Sequence, residues 1–352
     1  MTAGDQADEV FDLAVVGGGP VGLHAALKGA LLYHTVVLFD KGKRTSRAYF
    51  VPNYDNIPGH PEGISGRDLL ERGRAHIARI HERYGREWVT FQDGWEVTAL
   101  RRPANEGDPW ELTARPTKGT DAEARTWRAK AVVLATGVVD RQPIIGEYRT
   151  RDIETILPYA NKGTVDYCLL CDGHTVEGKT IAVLGCDASA ASIAKDLLYH
   201  FKAKRVTIVT AHQNLPPSAG NGPECLDPTA LAERMQKHGI DVVSTKIKTL
   251  HGLKEHYLGI EFEDGARREF DKGWVSLGWY RVNNQLAQQV GAQIDPDGYV
   301  RTGEDCEALD QNGEPIHGLF IVGDLRAETW KQVVIGWGDA ETAVVHAFAE
   351  HL

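Results

Sequence analysis

Twice along this chain a short apolar strand runs through a small-residue turn beginning with glycine into a helix, and a second apolar strand follows. In the first unit, residues 12–16 form the strand. Gly17-Gly18-Gly19-Pro20-Val21-Gly22 makes the turn, and a helix opens with apolar residues at Leu23, Ala26, Leu27 and Leu31 before a strand over 35–39. In the second, residues 180–184 lead through Gly185-Cys186-Asp187-Ala188-Ser189-Ala190 into a helix reaching about Phe201, then a strand over 205–209. Parallel strands need a crossover, and a helix of this length supplies it, so each stretch reads as a mononucleotide-type βαβ unit. The fold class is therefore α/β with two Rossmann-like nucleotide-binding domains, and 352 residues allow each its own core.

Between the units, residues 88–128 carry short aromatic and β-branched runs broken at Asp93-Gly94, Gly107-Asp108-Pro109 and Gly119, the pattern of a β-meander inserted in the first domain. A buried strand over 131–134 ends at Ala135-Thr136-Gly137. Another over 319–322 ends at Gly323-Asp324, and residues 331–350 read as a closing helix. Both strand ends point to the crevice beyond the carboxyl ends of a parallel sheet, where such folds bind ligands. The first domain is expected to be discontinuous, 1–150 plus 285–352, with the second at 151–284; residues 216–223 read as a loop within the latter.

Composition narrows the class. A net charge of −10 makes nucleic acid a poor partner, and every apolar run is interrupted by glycine or charge well short of a membrane span. The polar residues 1–12 are not a secretion signal, and the expected location is the cytoplasm. Of five cysteines, Cys168 and Cys171 stand at C-x-x-C spacing, while Cys186, Cys225 and Cys306 are isolated and read as packing or surface residues without a role. A structural zinc needs two more ligands; no second C-x-x-C exists and His174 is too close in sequence, so no metal is expected. The two-residue spacer lets the sulfurs close a small ring, and a helix start after Cys168 would favour the thiolate: a dithiol suited to switching.

A G-x-G-x-x-G alone is weak evidence, but here it joins strand to helix and is followed by Asp40 at the end of the next strand. Gly17 permits the tight turn, Gly19 the approach of a diphosphate and Gly22 close helix packing, while Asp40 would accept from a ribose hydroxyl.

In order and approximate spacing, Gly17 to Gly22, Asn56-Ile57-Pro58-Gly59, Ala135-Thr136-Gly137, Cys168-Leu169-Leu170-Cys171-Asp172-Gly173 and Gly318 to Asp324 followed by Lys331-Gln332-Val333 resemble the low-molecular-weight thioredoxin reductases across nearly the whole chain. The resemblance implies FAD, and with it contacts from the glycine turn including Pro20, from Asp40 and Lys41, and from Val97. It further implies that Asn56, Thr136 and Gly137 line the cofactor, that Gly323 and Asp324 hold the ribityl chain, and that Gln332 and Val333 meet the pyrimidine end. Lys331 and Arg47 stand where the family carries arginine and glutamine. Cys171 is expected to be the sulfur on the flavin side, Cys168 to attack the external disulfide, and Asp172 to act as general acid and base; a thioredoxin-like protein or a small disulfide is the expected substrate, and a homodimer the expected assembly.

The second unit departs from this pattern. Asp187 replaces the central glycine, and its carboxylate would obstruct and repel a diphosphate. Thr210-Ala211-His212-Gln213-Asn214 offers no arginine for a 2′-phosphate. NADPH is thus not expected in the usual manner, leaving ferredoxin or a second flavin as alternative donors, with Trp279, Tyr280, Trp330 and Trp337 as candidate ring-stacking residues. An NADPH-dependent thioredoxin reductase, a dithiol oxidase using oxygen and a flavin-bound redox sensor stay open as alternatives.

Overall fold

The computed structural model describes residues 9–105, 107–118, 123–143, 145, 153–210 and 224–352. The expected turn at Gly119, residues 211–214, the 216–223 loop and the start of the polar amino terminus lie outside them. The chain divides into two units, residues 1–49, 66–139 and 282–352 in one and 50–65 with 140–281 in the other. The segment 50–65, grouped by the sequence with the first domain, belongs to the second unit, as do 140–150.

The first unit is built on a sheet in the order Glu307–Leu309, Pro315–Ile321, Arg125–Leu134, Val10–Val16, Val36–Asp40, Val89–Asp93. The last five are mutually parallel. Leu13, Val15, Leu38 and Val133 are fully buried against the alanines of the helix Pro20–Leu31 and of the closing helix Val333–Glu350. Small helix residues bring the backbones close to the sheet, and each buried aliphatic side chain contributes roughly 1.5–3 kcal/mol. The meander is present as Trp95–Arg101, Trp110–Pro116 and Arg125–Leu134. Its last strand runs on without a break into the central parallel sheet, whereas the sequence suggests two separate runs.

The second unit carries a parallel sheet in the order Asp241–Val243, Arg205–Val209, Thr180–Gly185, Lys272–Ser276, Val165–Asp166. The two-residue period of a strand sets its layers. Ile181 and Val183 face the helices Ala188–Tyr199 and Pro228–Gln236, while Ala182 and Leu184 face a three-stranded antiparallel sheet of Ile247–His251, Leu258–Phe262 and Arg267–Phe270. No described helix is long and apolar enough to cross a membrane.

Candidate functional site

The first glycine turn is shaped by collisions that side chains would cause. A Cβ on Gly17 would lie 2.3 Å from the Ala135 carbonyl oxygen, and one on Gly22 only 1.8 Å from that of Gly17. Gly18 is held by Asp40, whose carboxylate would lie 2.3 Å from an added Cβ. Gly19 is different: the nearest atom to its Cβ position is the Ser46 hydroxyl at 3.6 Å, an ordinary contact. Nothing in the described chain demands glycine there, which fits a position kept bare for a ligand. Gly19 is the N-cap of the helix Pro20–Leu31, Pro20 lies in its first turn, and no side chain caps that end. Its amides are thus suited to an anionic diphosphate.

Asp40 is buried and accepts from the Gly42 amide at 2.9 Å, while the Arg74 guanidinium donates to it at 2.9 Å and to Asp93 at 2.7 and 3.0 Å. Lys41 pairs with Glu96 at 3.2 Å. Val97 is buried beside a register shift in its strand. Beyond the central strand, the Thr136 hydroxyl donates to the Asn283 carbonyl at 2.7 Å, the Asn283 side chain donates to the Thr136 carbonyl at 2.8 Å, and Gly137 takes a φ of +62°.

Around the closing helix, Arg47 lies 3.6 Å from Asp324. The Gly323 amide donates to Asp339, whose other oxygen accepts from Arg326 at 2.6 Å. Lys331 donates to the Arg326 carbonyl at 2.6 Å and sits over the Tyr299 ring at 3.8 Å; burial lowers its pKa, against the pull of Asp324 and other carboxylates. Gln332 is the N-cap and Val333 the first residue of that helix, again without a side-chain cap. The two helix starts meet: the Trp337 indole donates to the Pro20 carbonyl at 3.1 Å, and a Cβ on Gly336 would press on Val21 at 2.5 Å. The first unit thus gathers the sequence-derived cofactor residues except Asn56, which lies in the second. Arg74, Arg326, Asp339 and Asn283 carry no motif and emerge only from the fold. Of the proposed stacking aromatics, Trp337 is engaged at Pro20, Trp330 is 70% exposed, Trp279 lies in the other unit and the Tyr280 side chain is outside the described residues.

In the second unit Cys168 and Cys171 form a disulfide, their Cα atoms 5.2 Å apart. Cys168 is the extended N-cap of the helical turn Leu169–Asp172, and its carbonyl accepts from the amides of Cys171 and Asp172 at 3.1 and 3.0 Å. Both cysteines are half-buried. Asp172 is pushed up to about 7, first by burial and then by the negative charge of Asp166, with Lys272 and His174 pulling the other way. Asp166 is buried and paired with Lys272 at 2.5 Å; Lys272 also donates to the Thr175 hydroxyl at 2.8 Å, which donates to the Asp172 carbonyl at 2.7 Å. An acid poised near neutrality beside a disulfide can give or take the proton of a departing thiol. Behind it a Cβ on Gly173 would lie 2.5 Å from the Phe201 ring, so a larger residue there would have to displace that ring.

The family model of pyridine nucleotide-disulphide oxidoreductases matches residues 11–340. The chain belongs to that family. It is an FAD-dependent, thioredoxin reductase-like disulfide oxidoreductase. Thioredoxin reductase of Helicobacter pylori is 27% identical over 97% of this chain and 100% of its own length, and that of Peptoclostridium acidaminophilum is 27% identical over 97% and 96%. The solved thioredoxin reductase of Streptococcus pyogenes shares the fold, with a TM-score of 0.72 at 21% identity over 98% of both chains.

In this pyridine nucleotide-disulphide oxidoreductase the second glycine turn is built unlike the first. Asp187 caps the helix Ala188–Tyr199, accepting from the Ala190 amide at 2.8 Å, so a side chain takes the amide that an anion would use. Cys186 and Cys225, read from the sequence as isolated, are instead bonded to each other with Cα atoms 4.8 Å apart. They are 39 positions apart, and the fold closes that gap by bringing the start of the helix Pro228–Gln236 back over the strand end Gly185. The remaining cysteine, Cys306, is buried, and that burial pushes its thiol up to about 12.

Proposed function

We propose that the protein passes electron pairs between bound FAD and the Cys168–Cys171 pair and on to a thioredoxin-like protein or small disulfide, without taking NADPH in the usual manner. The observation that carries this is a closed disulfide at the start of a helical turn, followed directly by an acid raised to about 7. Bound FAD supplies a carrier of two electrons. Gly17, Gly19, Gly22 and the amides after Pro20 would hold its diphosphate, with Asp40 on the ribose. Lys41 and Val97 would add contacts beside that turn. Thr136, Gly137, Gly323, Asp324 and Arg47 would line its remainder. Lys331, Gln332 and Val333 would face the pyrimidine end, where an uncapped helix start favours negative charge.

The chain's own chemistry is thiol exchange. With the pair reduced, the Cys168 thiolate attacks the external disulfide and joins one of its sulfurs, releasing the other as a thiol that takes a proton from Asp172. Cys171 then attacks Cys168, restoring the Cys168–Cys171 bond and releasing the second thiol, so one disulfide has been reduced and one dithiol oxidised. Two electrons through Cys171 reopen the pair for the next cycle.

Against pyridine nucleotide stands the second turn, where the Asp187 carboxylate occupies a helix-end amide and is itself negative. Ferredoxin, or a second flavin, is then the donor. Anaerobic bleaching of the flavin followed in parallel with NADPH, NADH and reduced ferredoxin tests this: rapid bleaching by ferredoxin is expected, and rapid bleaching by NADPH would overturn it. The Cys168→Ser, Cys171→Ser double variant should keep its flavin and lose disulfide reduction entirely; retained reduction would refute the mechanism.

A further inference from the structure

The Cys186–Cys225 disulfide takes no part in the reaction above, and it stands at the place where a doubly wound unit receives its ligand, the carboxyl end of the strand Thr180–Gly185. Cys186 is fully buried and Cys225 half-exposed. The Leu226 amide donates to the Cys186 carbonyl at 2.8 Å, and Asp227 caps the next helix, accepting from the Thr229 and Ala230 amides at 3.0 Å. Residues 224–226 have no secondary structure of their own, and among the described residues they are held over the turn by that backbone bond, the sulfur bridge and the half-buried Leu226.

We propose that Cys186 and Cys225 are a second thiol–disulfide site, distinct from Cys168–Cys171, whose substrate is a dithiol of the thioredoxin class and whose reduction unlatches residues 224–226 from the turn of the second βαβ unit. Exposure fixes the order of events. The incoming thiolate attacks the Cys225 sulfur, forming a mixed disulfide there, and Cys186 leaves as a thiolate that takes a proton from solvent. The second thiol of the reductant then attacks its own partner sulfur, leaving as a cyclic disulfide and freeing Cys225. One disulfide is reduced, one dithiol is oxidised, and two electrons enter the chain at a second cysteine pair. With the bridge broken, one amide–carbonyl bond and the packing of Leu226 are left among the described residues to hold an irregular segment, and segments so held open at low free-energy cost.

The wild-type holoprotein tests this directly. After rapid alkylation at isolation, peptide mapping should recover a Cys186–Cys225 linked peptide. Anaerobic treatment of the native protein with reduced thioredoxin, then alkylation, should label all four of Cys168, Cys171, Cys186 and Cys225. Labelling of Cys168 and Cys171 alone, with the other two reached only in denaturant, would overturn the proposal and leave a fixed staple. Amide hydrogen exchange over 186–191 and 224–231 should rise about ten-fold or more on reduction, and Cys225→Ser should show the same rise without reductant, while its Cys168 and Cys171 still label after treatment with reduced thioredoxin. Unchanged exchange would overturn the latch. These readouts do not depend on the electron donor, so the proposal stands or falls separately from the function above.

Discussion

Near the redox pair, a single carboxyl group sets a pH signature. Asp172, raised to about 7 chiefly by burial, keeps its proton across a range where an ordinary aspartate has lost it. Replacing it by asparagine should lower kcat/KM for disulfide reduction about 10²-fold at pH 7, and the inflection near pH 7 in the wild-type profile should disappear; a profile that keeps its inflection would assign it to another group. The same group acts on stability. Its native pKa lies above the unfolded value of 3.8, so its contribution is fully present below about pH 4 and is lost as pH rises through about 7. Urea midpoints should therefore fall across that window in the wild type and less steeply in Asp172→Asn. Position after C-x-x-C made Asp172 readable from the sequence. What poises it was not, because Asp166 and Lys272 come from strands more than a hundred residues apart that only the folded sheet makes neighbours.

Elements answer to backbone proximity, and the glycines of the first turn separate two reasons for lacking a side chain. Gly22→Ala drives a methyl into the Gly17 carbonyl, so it should lower both the melting temperature of the apoprotein and FAD retention through gel filtration. Gly19→Ala meets only Ser46 at contact distance, and its φ of −71° suits alanine. It should leave apoprotein melting within about 2 °C while weakening FAD binding; equal loss of stability would mean that Gly19 serves the fold instead. The strands and helices of both βαβ units were legible because burial on one face or two imposes a period on the sequence. The antiparallel sheet from Ile247 to Phe270 was not, since Arg267, Arg268 and Glu269 on its outer strand are exposed and carry no apolar alternation. Nor was the Cys186–Cys225 bridge, whose halves have no local motif.

For the whole molecule, two units with separate cores predict separable stabilities. On the proposed placement of FAD in the first unit, the cofactor should stabilise that unit by mass action, at about 2.7 kcal/mol when free cofactor is a hundred times its Kd. In calorimetry, removing FAD should lower one thermal transition by several degrees and leave the transition of residues 50–65 and 140–281 nearly fixed; a single transition moving as one would show the two cores to be coupled. The strand Arg125–Leu134 adds a finer consequence within the first unit. Its early half pairs with a meander strand and its later half lies between Val10–Val16 and Pro315–Ile321, all along ten continuous residues. A meander welded in this way has no hinge at its root. Pulled from Trp110, it would transmit the load directly into the centre of the parallel sheet, so under tension the first unit should rupture in one event rather than shed its meander first.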